Sequence, residues 1–150
     1  IPFFVRWGAV LPAADPAIDT WAPANAPEGV EIVTADSMNG RLHAWVFGHA
    51  DARVRLADGS MLRVRTTGEA VRLTREGGDG ADAALLIQMI WPPDLPLPKA
   101  IDGLTYAADA DPLALPAGTW TSNAERQAIA VHSVPGQHEV SVDIPSSTPR

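Results

Sequence analysis

The chain has 150 residues, 46% of them hydrophobic and 19% charged, which fits one folded domain rather than a disordered chain. It contains no cysteine, so a disulfide framework, a thiolate metal site and a cysteine nucleophile are excluded. A formal net charge of −7 argues against nucleic acid or an anionic membrane as partner of the whole surface. No apolar run reaches the ~20 residues needed for membrane insertion.

Fourteen prolines and twelve glycines break the chain at short intervals, which suits short strands and turns better than long helices. Residues 1–27 form a Pro/Ala-rich lead-in, with prolines at positions 2, 12, 16, 23 and 27. Within it only residues 3–11 (FFVRWGAVL) read as a strand, and the rest is expected to be an extended arm over the surface or onto a neighbour. The chain opens on Ile1 rather than Met, with no basic stretch before its first apolar residues. Either a leader has been removed or further residues lie upstream.

Residues 28–145 read as a single β domain, followed by a short tail at 146–150. Strands are predicted at 30–35 (VEIVTA) and 41–49 (RLHAWVFGH), split by the turn-like Ser37-Met38-Asn39-Gly40. Next, 52–57 (ARVRLA) and 61–66 (MLRVRT) alternate apolar and charged residues around Asp58-Gly59-Ser60, a hairpin signal. Placing their apolar residues on one face sets Val54 opposite Val64 and Leu56 opposite Leu62. Residues 70–75 (AVRLTR) continue the pattern as a third strand. A Gly-rich loop at 76–82 leads to a buried strand at 84–91 (ALLIQMIW) and a polyproline-like surface crossing at 92–98 (PPDLPLP).

Short strands are expected near 104–107, 113–115 and 118–121. Ser122-Asn123-Ala124-Glu125 fits a capping box for one or two helical turns, the alternative being a plain loop. Residues 127–134 and 138–144 flank Pro135-Gly136 as a second hairpin, with Val131 opposite Val140 and His132 opposite Glu139. About nine short strands predict an all-β chain: a single antiparallel β-sandwich, or else a small barrel or jelly roll.

Charge is distributed unevenly. Between Arg53 and Arg75 lie six of the eleven basic residues, with only Asp58 and Glu69 against them. The register above sets Arg55 opposite Arg63 and Arg53 opposite Arg65 on the face away from the core, with Arg72 beside them. Like charges facing each other across a sheet cost about 0.2–1 kcal/mol per pair, so something should offset them. One candidate is an anionic ligand, such as an acidic glycan, a phosphate or a carboxylate-rich partner, because guanidinium forks bind such groups in bidentate fashion. The other is acidic residues of the chain itself, or solvent and counterions.

Histidine spacing opposes a metal site. His43 and His49 sit six residues apart on one predicted strand, about 20 Å at ~3.3 Å per residue. Residues 77–82 (GGDGAD) resemble a calcium-binding nonapeptide, but that motif works by stacking repeats and only one copy is present. Asp109-Ala110-Asp111 lacks the glycine turn and closing Glu of an EF-hand. Residues 115–120 (LPAGTW) resemble the second half of a cupin motif, with Trp120 where the metal His would stand and no H-x-H before it. No G-x-S-x-G, P-loop or dinucleotide fingerprint occurs. No cofactor or catalytic residue is therefore expected.

Five tryptophans stand against one tyrosine. Trp45 alternates with His43 and Phe47 on one side of its predicted strand, while Leu42, Ala44 and Val46 line the other. A strand apolar on both sides is usually central and covered twice, here by the lead-in with Trp7 and Trp21, by a partner chain or by a sugar ring. The expectation is a non-catalytic structural or interaction module, a subunit of a larger assembly that binds a protein partner or itself. An extracellular, periplasmic or virion setting suits that role. The alternative is a carbohydrate- or anion-binding module using Arg53, Arg55, Arg63, Arg65, Arg72 and Trp45, with Trp120 as a further ring. A metal-assisted small-barrel enzyme ranks third.

Overall fold

The computed structural model describes residues 4–14, 42–78 and 82–145. The strand expected at 30–35, the turn at 37–40, most of the arm with Trp21, and the tail lie outside them, as do residues 79–81 of the Gly-rich loop. Among the described residues ten strands are formed: β1 (Val10–Ala14), β2 (Leu42–Phe47), β3 (Asp51–Arg55), β4 (Met61–Thr66), β5 (Ala70–Glu76), β6 (Leu86–Ile90), β7 (Thr105–Tyr106), β8 (Thr119–Asn123), β9 (Ala128–His132) and β10 (Glu139–Asp143). They form two sheets, the larger ordered β1-β2-β6-β9-β8-β7 and the smaller β10-β5-β4-β3. The fold is all-β, as expected, with the two sheets packed as a sandwich.

Period-2 alternation decides which side chains enter the core. In the smaller sheet Leu62 and Val64 of β4, Val71 and Leu73 of β5, and Val140 and Val142 of β10 point inward and are buried. The larger sheet answers with Leu42, Ala44 and Val46 of β2, Ile87 and Met89 of β6, Trp120 of β8, and Ile129 and Val131 of β9. Each fully buried side chain of this kind contributes about 1.5–3 kcal/mol of hydrophobic stabilisation.

β2, β6 and β9 carry apolar residues on both faces and occupy the middle of the larger sheet. The pairing of β2 with β6 is parallel, His43 against Leu86 and Phe47 against Ile90, as is that of β7 with β8. The sandwich is thus mixed rather than purely antiparallel. The chain leaves β2, builds β3, β4 and β5 in the opposite sheet, and only then returns as β6.

Five local expectations are corrected. In the lead-in residues 4–9 form no strand and the strand is Val10–Ala14; Pro12 fits because β1 is the edge of its sheet among the described residues and has no second ladder partner there. The β3–β4 register is shifted by two residues, with Val54 opposite Leu62 and Arg53 opposite Arg63. The shift arises because Leu56 drops into the core as part of the loop, and Asp58 folds that loop by accepting the Ser60 amide at 2.9 Å. Ser122 and Asn123 end β8, and residues 124–127 form a tight turn rather than a helical one, with Asn123 Oδ1 accepting the Arg126 amide at 2.9 Å.

The fourth correction is topological. β9 and β10 are not a hairpin: β9 pairs with β6 and β8, whereas β10 pairs with β5. Pro135-Gly136 turns the chain from one sheet to the other. Ile129-Ala130-Val131 is apolar on both faces and belongs in the doubly covered sheet, while Val140 and Val142 alternate with exposed residues and suit the other. Of the short strands expected after residue 100, residues 113–115 form no strand.

Candidate functional site

The outer face of the smaller sheet carries the arginines. Alternation with Val54, Leu62, Val64, Val71 and Leu73 forces Arg53, Arg55, Arg63, Arg65 and Arg72 outward, and all five are exposed. The observed register stacks them in three cross-strand rows. Asp51, Arg65, Arg72 and Ser141 form one; Arg53, Arg63, Thr74 and Glu139 the next; Arg55, Met61 and Glu76 the third. At ~4.8 Å between strands and ~6.8 Å between rows, the guanidinium-bearing positions span about 10 by 14 Å. Arg53 faces Arg63 and Arg65 faces Arg72 directly.

Among the described residues no carboxylate comes within 4.0 Å of any of these five guanidinium groups. Asp51, Glu76 and Glu139 sit at the margin of the rows, not between the facing arginines. Extended arginine side chains on neighbouring strands with no carboxylate between them can close on an incoming anion from both sides.

The sixth basic residue of the segment behaves differently. Arg75 points inward, with only 5% of its side chain exposed, and Asp58 meets it with 4% exposed. Nε of Arg75 donates to Ser60 Oγ at 3.0 Å, Nη1 to the Ala83 carbonyl at 2.6 Å, and Nη2 to Asp58 Oδ2. The Ser60 hydroxyl donates to Asp58 Oδ1 at 2.6 Å. Burial pushes the Asp58 carboxyl up, but the Ser60 hydroxyl and amide and the Arg75 guanidinium outweigh it and hold Asp58 below the usual carboxylate range. This clasp fixes the β3–β4 turn against β5 and so sets the spacing of the arginine rows.

Trp45 lies on the opposite side of the molecule. It projects from the outer face of the larger sheet, its indole stacked on Phe47 at 6.3 Å and tilted against His43 at 5.3 Å. The structure therefore does not bring Trp45 and the arginines into one site. Trp120 is buried in the core against Tyr106 and presents no ring to solvent.

Part of this outer face is covered by the segment after β7, where Ala107, Ala110 and Leu115 pack on Leu86 and Ala130. Between that cover and Trp45 a cleft of about 500 Å³ remains, floored by β6, β8 and β9. Gln88 lies in its floor, 7% exposed, and its Nε2 has no hydrogen-bond partner among the described residues. Asp109, Asn123 and Arg126 stand around it. Sequence reasoning missed these residues; the one available signal was a glutamine interrupting the otherwise apolar run at 84–91.

The histidines are dispersed. His49 Nε2 meets Asp94 at 3.0 Å, and this contact holds the exposed Asp94 carboxyl below its usual value. The His132 ring is held at the Leu115 carbonyl, 2.5 Å from Nδ1, rather than facing Glu139. His138 approaches Asp82 at 3.3 Å. Among the described residues no three His, Asp or Glu side chains converge as a metal site. Nor does any helix among them have the length and apolarity to cross a membrane. Compared with known proteins, the chain matches no family model, no curated protein and no solved structure.

Proposed function

We propose that this chain is a non-catalytic interaction module whose contact surface is the arginine face of the smaller sheet, and that its partner is a polyanion of the sulfated or carboxylated glycan type. The observation that carries the reading is the two pairs of facing arginines, Arg53 with Arg63 and Arg65 with Arg72, with no carboxylate in pairing distance among the described residues. Facing like charges cost about 0.2–1 kcal/mol each. An anion lodged between them turns that cost into charge-assisted hydrogen bonds. The negative balance of the rest of the chain confines such binding to this face.

Heparin, a sulfated glycan, is the probe, with uncharged dextran as control. Titration calorimetry of the full chain should show heparin binding that weakens steeply with salt, because condensed counterions are released. Arg63→Gln with Arg65→Gln should weaken it about tenfold or more, roughly one lost charged contact, while Lys99→Gln leaves it unchanged. Equal binding of dextran, or no effect of the paired substitution, would remove the arginine face from consideration.

A second reading, a subunit of an extracellular or virion-type assembly, rests on a different observation. Phe4, at 94% exposed, and Trp7, at 50%, lead with Val5 and Leu11 into the edge strand β1. An apolar surface beside a strand edge that is unpaired among the described residues suits contact with another chain. Light scattering decides it: a defined oligomer that dissociates on Phe4→Ser with Leu11→Ser supports assembly, and a monomer throughout opposes it.

A further inference from the structure

We propose that the cleft between Trp45 and residues 109–112 is a second binding site, taking one ring of a neutral saccharide. It lies on the outer face of the larger sheet, remote from the arginines, and does not depend on the function proposed for them.

Three features of the cleft point to that chemistry. The first is the Gln88 amide: 7% exposed, in the floor of the cleft, with its Nε2 lacking any hydrogen-bond partner among the described residues. A buried amide hydrogen left unsatisfied costs about 1–3 kcal/mol, a cost that a ligand hydroxyl removes once the Gln88 carboxamide turns its buried Nε2 toward the cleft. The cleft volume of about 500 Å³ lies within the range of small-molecule sites.

The second feature is the balance of charge and hydrogen-bonding groups. The charged residues lining the cleft are one acid, Asp109, and one base, Arg126, so the site favours no net charge on its ligand. Asp109 accepts, Arg126 donates, and the carboxamides of Gln88 and Asn123 can do both. Hydroxyl groups, which also donate and accept, match such a set at every position. An aromatic heterocycle of similar size would leave several of these groups without partners.

The third feature is Trp45. Its indole forms one wall, backed by the stacked Phe47 ring, so its position is set by packing. The C–H face of a pyranose fits against such a wall, while the ring's hydroxyls point to Gln88, Asp109 and Asn123. Apolar Ile90, Ala128 and Ala130 complete the floor.

The test uses the full isotope-labelled chain and the methyl glycosides of glucose, galactose and mannose, with adenosine as an aromatic comparison. In nitrogen–proton correlation spectra at least one glycoside should shift the Gln88 side-chain amide and the Trp45 indole N–H together, with a Kd of about 1 mM or tighter. Trp45→Ala and Gln88→Leu should each weaken binding about tenfold or more while the core resonances stay in place. Gln88→Glu, which keeps the shape and removes the amide donor, guards against a loss caused by misfolding and should weaken binding as well. The proposal is overturned if none of the three glycosides moves these resonances, if adenosine binds in their place, or if both Trp45→Ala and Gln88→Leu bind as the parent chain does. Heparin binding at the arginine face should be unaffected by these substitutions, so failure of one site is distinguishable from failure of the other.

Discussion

Replacing Arg75 with Met removes the buried cation from the Asp58 clasp while filling much of its volume. Three hydrogen bonds disappear, to Ser60, Ala83 and Asp58, and the Asp58 carboxylate stays behind with only the Ser60 hydroxyl and amide to solvate it. Breaking a buried pair on one side costs about 3–5 kcal/mol, mostly as the stranded charge. With a urea slope of about 2 kcal/mol per molar, the unfolding midpoint at neutral pH should fall by roughly 2 M. Asp58→Asn in the same chain removes the stranded charge and should recover part of the loss, so the two changes together cost less than their separate effects summed.

Acid gives an independent readout of the same clasp. A carboxyl held below its unfolded value of about 3.9 contributes stability that is complete above that pH and is lost as pH falls through the folded value. The parent chain should therefore lose this increment below about pH 4, and Arg75→Met should lose less of it, since one of the groups holding Asp58 down is gone. A single variant within about 1 kcal/mol of the parent, or a double variant no more stable than the single, would refute the reasoning.

Two glycines offer further tests. A Cβ on Gly78 would lie 2.4 Å from the Ser60 amide nitrogen and 2.8 Å from the Asp58 carbonyl, both backbone, at a φ of +76°. Gly78→Ala should cost about 2–4 kcal/mol in thermal unfolding, and an unchanged melting temperature would mean that Gly78 does not rest on the turn. At Gly48, φ +67°, a Cβ would fall 2.0 Å from Trp7 Cε2, the end of a half-exposed side chain that can swing away. Gly48→Ala should red-shift Trp emission, and in a Trp7→Ala background its cost should shrink to the left-handed backbone penalty of about 1–2 kcal/mol.

Legibility followed the distance over which each feature is decided. The strand Met61–Thr66 and the outward arginines were readable because alternation is a property of adjacent residues. The register was not, because it depends on how Asp58 and Leu56 fold a loop between two strands that look alike at either pairing. The second hairpin failed for a related reason: a Pro-Gly turn between two apolar runs reads the same whether the chain returns in its own sheet or crosses to the other. Ile129-Ala130-Val131 held the distinguishing signal, apolar on both faces where Val140 and Val142 alternate. The cleft was least legible, since Trp45, Gln88, Asp109 and Arg126 come from four separate segments.

The parallel join of β2 to β6 has a bearing on how the molecule is made. β3, β4 and β5 follow one another in both chain and sheet, so this meander needs only short loops to close. β2, apolar on both faces, must wait for β6 until the whole meander has been synthesised. During vectorial synthesis the meander can cover the inner face of β2, but its edge toward β6 stays open until Leu86–Ile90 has emerged, and the rate of chain growth between Phe47 and Leu86 becomes a determinant of yield. Slow translation across that stretch should favour aggregation.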